Sequence, residues 1–232
     1  MARDFNAASD KLKRTSVPST ATNNFTICCW VNIDTLINSE TAFVNGFDGG
    51  SGVGYWLGIS STNTPRFNYS FVVAIDGGTA LSTGRWYHFL GIRNAGTGKV
   101  YLNGVDEGVS SASVPFAPST TLAIGMNQTN AGADGNPFDG KVCECAIWDR
   151  ALSASEITQL GQGYAPSFFP QSLVFYAPVT GANNPEIDKK STTTLTVTGT
   201  TRATHPDFMK YPNKPNTGIV IKPRAFSPGL AR

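Results

Sequence analysis

The chain reads as an all-β protein: a two-sheet antiparallel sandwich with one short helix and an extended C-terminal arm. Three observations predict it. Residues 85–104 form a hairpin pattern, in which an alternating strand, the small-residue turn Asn94–Gly98 and a second strand end at Asn103-Gly104. Short strand patterns bounded by Gly, Asp, Asn or Pro recur along most of the chain, the spacing that a sandwich requires. Composition agrees: 232 residues, 40% hydrophobic and 15% charged, can bury one full core, and 24 Gly with 14 Pro suit many tight turns.

In chain order, Phe5–Leu12 supplies a first strand and turn. Phe25–Asn32 follows, its alternation placing Phe25, Ile27, Cys29 and Val31 on one face and Trp30 on the other. Residues 41–47, 55–60, 67–75 and 86–92 are β-rich runs, then come Thr121–Gly125, a polar loop over 126–137 and a strand from Phe138 to Trp148. The helix is specified locally. Ser153 is its N-cap, Glu156 completes a capping box, Ile157 and Leu160 form the apolar stripe and Gly161 is the expected stop. Residues 164–201 carry two more strand patterns, Ser172–Gly181 and Thr194–Gly199, that either complete the sandwich edge or form a small flap. From 202 to 232 prolines alternate with Lys and Arg, a composition that cannot build its own core and favours extended backbone.

The strand Trp86-Tyr-His88, the Gly-containing turn and the closing Tyr101-Leu-Asn-Gly104 resemble the laminin-G-like, concanavalin-A-like jelly roll. So does Phe138-Asp-Gly140, a strand, Trp148, Asp149-Arg-Ala-Leu-Ser153 and the Glu156-Ile157 helix. With Phe5–Leu12 and Phe25–Asn32, the resemblance covers residues 4–163 with its blocks in family order, so residues 1–163 are expected to be the sandwich. Ser172–Gly181 with Asp188 and Thr194–Gly199 resembles the lead-in that such domains place before their first strand, here displaced to the end. The resemblance implies a sandwich used mostly for binding and seldom for catalysis.

Several function classes fall away on residue chemistry. A net charge of +2 supplies no field to hold nucleic acid or an anionic membrane. The start has no apolar run, so neither a secretory signal nor an anchor is expected, and the chain is expected to be made in the cytosol. The four cysteines are therefore expected as buried free thiols; Cys28 and Cys29 point to opposite faces, while Cys143 and Cys145 share one unless a bulge intervenes. Nucleophilic hydrolysis needs a base, and the two histidines are a strand residue, His88, and His205 before Pro206. The glucanases of this fold use a Glu-x-Asp-x-x-Glu strand, because a retaining mechanism needs two carboxyls about 5 Å apart. Glu107, Glu144 and Glu156 stand singly in the sequence, so no enzyme is expected.

Many relatives bind calcium at the sandwich rim, and here the polar loop offers Asn127, Asn130, Asp134, Asn136 and Asp139 as oxygen donors; the simpler reading is a loop of Asx-turns. If a sugar is bound, Tyr55 or Trp56 beside the Gly-rich stretch 48–54 could supply a stacking face. The sandwich start, the absence of a leader and the Pro-rich end resemble bacteriophage virion proteins. On that resemblance the chain is expected to decorate a capsid, with the major capsid protein or other virion subunits as partners, as a homo-oligomer located in the virion. The arm, with Lys210, Tyr211, Lys214, Ile219, Ile221, Arg224 and Phe226, would then dock on a neighbour. The rival expectation is a carbohydrate-binding module or fibre adhesin that recognises a bacterial surface glycan.

Overall fold

The computed structural model describes residues 1–18, 24–48, 53–69, 73–110, 120–128 and 134–212. Its strands are β1 (Ala2–Phe5), β2 (Lys11–Arg14), β3 (Phe25–Ile33), β4 (Thr41–Asp48), β5 (Val53–Ile59), β6 (Pro65–Tyr69), β7 (Ala74–Asp76), β8 (Trp86–Asn94) and β9 (Thr97–Leu102). They continue as β10 (Val105–Ser110), β11 (Leu122–Ile124), β12 (Met126–Gln128), β13 (Asp134–Pro137), β14 (Gly140–Trp148), β15 (Leu173–Ala177), β16 (Glu186–Ile187), β17 (Thr194–Thr198) and β18 (Thr201–Ala203). One helix, α1 (Ala154–Gly161), and a 3₁₀ turn, Pro166–Phe168, lie between β14 and β15.

Two antiparallel sheets face each other. The first runs β10-β9-β8-β3-β14-β1-β18, with β15 also on β14; the second runs β16-β17-β2-β11-β4-β5-β6-β7; β12 and β13 form a separate ribbon. Between the sheets the alternate residues Phe25, Ile27, Cys29 and Val31 meet Phe43, Tyr55, Leu57 and Phe67 in one core. Its centre is aromatic: Phe43 stands edge-on to Phe89 and Phe138, with ring centres 4.7 and 4.9 Å apart. Mid-strand Gly91 leaves the space that the Phe67 ring fills, since a Cβ there would lie 2.3 Å from that ring.

The outer face of the first sheet is covered too. Cys28, Leu90, Ile92, Ala146 and Trp148 pack beneath Leu152, Ile157 and Leu160 of the helix region, and Trp30 and Cys143 pack beneath Ala165 and Met209. This two-sided burial explains why β3 reads as an almost unbroken apolar run. The capping box forms as expected, and the Arg150 guanidinium beside Glu156 holds its carboxyl down at about 2. Gly161 does not stop the helix: it is the last helical residue, Gln162 is the C-cap and Gly163 takes the left-handed turn at φ +87°. Gly161 is needed for a different reason, because a Cβ there would come within 2.5 Å of the Asn103-Gly104 backbone.

Two expected boundaries move. Residues beyond 163 are integral, since β15 pairs with β14, β17 with β2 and β18 with β1; the edge-completing arrangement is the one adopted. Nor does the arm begin at 202. Residues 201–203 are strand, and Lys210 is bridged to Tyr164 through Lys210 N–H to the Gly163 carbonyl and Ala165 N–H to the Lys210 carbonyl, at 2.8 and 2.9 Å.

All four cysteines are buried free thiols, and a bulge separates Cys143 from Cys145. Cys145 lies in the inter-sheet core hydrogen-bonded to Cys29, whereas Cys143 lies under Trp30. Burial pushes these thiols up, with neighbouring sulfurs and Glu144 adding to the shift of Cys145 and Cys143. Protein denatured without reductant should therefore react with four equivalents of an alkylating reagent; uptake of two would reveal a disulfide.

Candidate functional site

The bulge at Glu144 builds the most developed concave site among the described residues. Along one edge of β14, β1 pairs with residues 140–142 and β15 with residues 145–148. Between them the edge is unshared, and Glu144 sits in the notch at φ +55°, a backbone conformation unusual for a residue with a side chain. Its amide donates to the Pro178 carbonyl at 3.1 Å. The side chain, 1% exposed, turns to the outer face of the sheet, where a purely apolar environment would make a carboxylate costly.

Two phenols donate to it, and an imidazole nitrogen lies beside them. Tyr176 Oη donates to Oε2 at 2.7 Å, Tyr211 Oη donates to Oε1 at 2.8 Å, and His205 Nε2 lies 3.3 Å from the same Oε1. Burial, then the adjacent Glu144 charge, raises both phenols well above the usual tyrosine range, so both stay protonated and act as donors. His205 Nδ1 lies 2.9 Å from the Pro206 carbonyl, which fixes that nitrogen as the N–H and turns Nε2 toward Glu144 and Tyr211.

Around this centre opens a cleft of about 580 Å³, the size of small-ligand sites. Met1, Pro178, Ile187 and Pro212 supply apolar wall, while Ser167, Tyr176, Thr180, Asn183, Lys189 and Tyr211 supply polar groups. A second carboxylate, Glu186, also lines it, but its Oε1 accepts from Arg3 Nε and from Gly181 N–H, each at 2.8 Å. Sequence reasoning set Glu144 aside as an isolated acid flanked by cysteines. Its partners are 32, 61 and 67 residues away in the chain, and only a charged residue inside the otherwise apolar run Val142–Trp148 pointed to it.

The residues that the sequence proposed as calcium ligands lie elsewhere. Asn127 is on β12, Asp134 and Asn136 on β13, and Asp139 just beyond. Three of the four have oxygens engaged within the protein. Asn127 Oδ1 accepts from Asn45 at 2.8 Å, the Asp139 carbonyl accepts from Asp34 N–H at 3.1 Å, and the Asp134 carboxylate takes both Lys11, at 2.6 Å, and Lys13. Partial burial raises the Asp134 carboxyl, but the two lysine contacts outweigh it and hold the group below the usual range. Among the described residues no three His, Cys, Asp or Glu cluster as metal ligands, and Asn130 lies outside them.

Tyr55 and Trp56 offer no stacking face, which corrects the sequence expectation. Tyr55 is fully buried in the core 5.2 Å from the Phe25 ring, and Trp56, 3% exposed, lies under the Arg66 guanidinium. The inter-sheet core takes up the Tyr55 ring, while Trp56 packs on the opposite face of β5 with Ala42 beneath Arg66. Lys210 and Tyr211 lie against their own sandwich: Lys210 Nζ sits over the Tyr164 ring at 4.2 Å and Tyr211 walls the cleft. Lys214, Ile219, Ile221, Arg224 and Phe226 are outside the described residues. His88 is structural, 1% exposed, 5.2 Å from the Trp30 ring, and held neutral by burial, which lowers it to about 3.

Comparison with solved structures gives the same fold. A Bacteroides ovatus protein described as carbohydrate-binding superposes with a TM-score of 0.68 at 20% identity, over 90% of this chain and 61% of that one. This chain thus spans under two thirds of that protein. A heptameric SAP-like pentraxin from Limulus polyphemus superposes at 0.61 with 15% identity, over 84% of this chain and 93% of its own. The binding domain of botulinum neurotoxin DC, solved in complex with SialylT, gives 0.50 at 16% identity, over 65% of this chain and 39% of that one. No curated protein matches in sequence. The family profile Laminin_G_3 matches residues 6–158, and the chain belongs to the concanavalin A-like lectin/glucanases superfamily.

Proposed function

We propose that this protein is a non-catalytic carbohydrate-binding module whose site is the cleft at the Glu144 bulge. One observation carries this reading: a buried carboxylate, two phenols and a serine hydroxyl converge at one end of a cleft with apolar walls, the mixture that recognises a ring with polar edges and apolar faces. The fold shared with a protein described as carbohydrate-binding supports it. Hydrolysis finds little support in the same geometry. Glu186 is neutralised by Arg3, and Glu144 is committed as acceptor to two phenols of its own protein, so neither is placed as a proton donor to a leaving group.

Decoration of a virion drew on the whole proline-rich arm. The described part of that arm folds back on its own sandwich and builds the cleft wall, which supports a binding site within one chain.

The test is a titration of oligosaccharides that the wild-type protein retains on a glycan array. Tyr211→Phe should weaken binding roughly tenfold, because it deletes one polar cleft atom and one donor to Glu144, and no reducing ends should be released. A protein that retains no glycan, binding unaffected in the variant, or turnover that disappears in Glu144→Gln would overturn the proposal.

A further inference from the structure

Counting protons at the Glu144 end of the cleft shows which groups remain for a ligand. A phenol has one proton and an oxygen that also accepts. The Tyr176 proton goes to Glu144 Oε2 and the Tyr211 proton to Oε1. The Ser167 hydroxyl lines the same end of the cleft as Tyr176. The two phenols are therefore polarised inward, each with its proton directed toward the buried carboxylate.

With both protons turned inward, the two phenol oxygens keep lone pairs as acceptors, and the Ser167 hydroxyl beside them can accept as well. Glu186 adds acceptors of the same kind, its own charge balanced by Arg3. The one lysine that lines the cleft, Lys189, belongs to its exposed rim, where water and salt screen it. His205 directs both ring nitrogens into the protein's own contacts.

We infer that the cleft selects neutral, hydroxyl-rich sugars and rejects acidic ones. The inference rests on the carbohydrate-binding reading above. Sugar hydroxyls can donate to every acceptor at this end of the cleft. A carboxylate or sulfate brings only acceptors and a second negative charge, so at the Glu144 end it would find no phenol proton free and would face two carboxylates, while Asn183 and Lys189, donors that also line the cleft, are exposed to water. Donor-acceptor mismatch of this kind gives the strongest discrimination available to a binding site, because the protein's polar atoms are left unpaired as well.

The experiment is an array of neutral oligosaccharides, each printed beside its sialylated or uronic acid counterpart, followed by calorimetric titration of the matched pair that binds best. The neutral member should bind at least about tenfold more tightly. In Glu144→Gln the amide brings its own donors and removes a negative charge from this end of the cleft, so one of the two phenols loses its acceptor there. That variant should lose neutral affinity and show a much smaller ratio between the two members. Tyr211→Phe, which removes an acceptor but adds no donor, should lose affinity while keeping the preference. Both variants are used only after their melting curves show a cooperative fold. An acidic member that binds as tightly as its neutral counterpart, with Tyr211→Phe weakening both, overturns the selectivity and leaves the site standing. Absence of any glycan binding, or binding that neither variant changes, overturns the carbohydrate reading and the selectivity with it.

Discussion

Asp188→Ala should lower the stability of the fold by about 3–5 kcal/mol, the cost of leaving a buried charge without its partner. Asp188 lies on no regular strand, yet it gathers four donors. These are Arg14 Nη1 at 2.9 Å, the main-chain N–H of Tyr176 at 3.1 Å and of Lys190 at 2.9 Å, and the Ser191 hydroxyl at 2.7 Å. Its side chain and that of Arg14 are almost completely buried, and the guanidinium lies over the Phe175 ring at 5.7 Å. The residue thus ties β2 of the second sheet to β15 of the first across the connection between them, and its loss strands Arg14 in the interior. For a protein of this size the shift in melting temperature should be roughly 10 °C, readable by calorimetry. A loss under about 1 kcal/mol would mean that the pair is as weak as an exposed one, and the view of residues 164–203 as integral to the sandwich would fail with it.

Ending the chain after His205 should also destabilise it, by roughly 3–5 kcal/mol from the burial of Met209 and the hydrogen bond of Tyr211 together. Composition says only that residues 202–232 cannot build a core of their own. The expected loss comes from where residues 206–212 dock. Met209 is 7% exposed against Trp30, Cys143 and Ala165, the Phe208 ring stands 5.0 Å from Trp30, and Tyr211 satisfies one oxygen of Glu144. Urea titration of the shortened chain beside the full one measures the difference. Equal midpoints and equal slopes would show that residues 206–212 dock without contributing. The same shortened chain should lose the proposed glycan binding even where it remains folded, since Tyr211 and Pro212 are walls of the cleft.

Much of the architecture was legible before any coordinates. The alternation in Phe25–Val31 sorted inward from outward side chains because a strand has a period of two and the core lies on one side of it. The helix start was equally local: Ser153 and Glu156 satisfy each other's backbone amides within three residues, so no distant partner had to be known. The hairpin at 86–102 formed as read, because its turn and both strands are contiguous. Even the bulge between Cys143 and Cys145 could be named as the condition on which their shared face depended.

The candidate site was not legible, for a physical reason. A composition rich in proline and lysine says that residues 202–212 cannot form a core of their own; it does not say that another element lacks a cover. That lack was created by β3 and β14, whose outer faces carry Trp30 and Cys143 and had to be shielded from water. The same docking brought His205 and Tyr211 to Glu144, a residue whose neighbours in sequence are cysteines. Local periodicity determined the strands, the helix and the inward face of the sandwich. Which distant segment covers the remaining apolar surface, and which polar groups therefore meet at one buried carboxylate, was decided only by tertiary packing, because desolvation acts on surfaces that exist only once the sheets have formed.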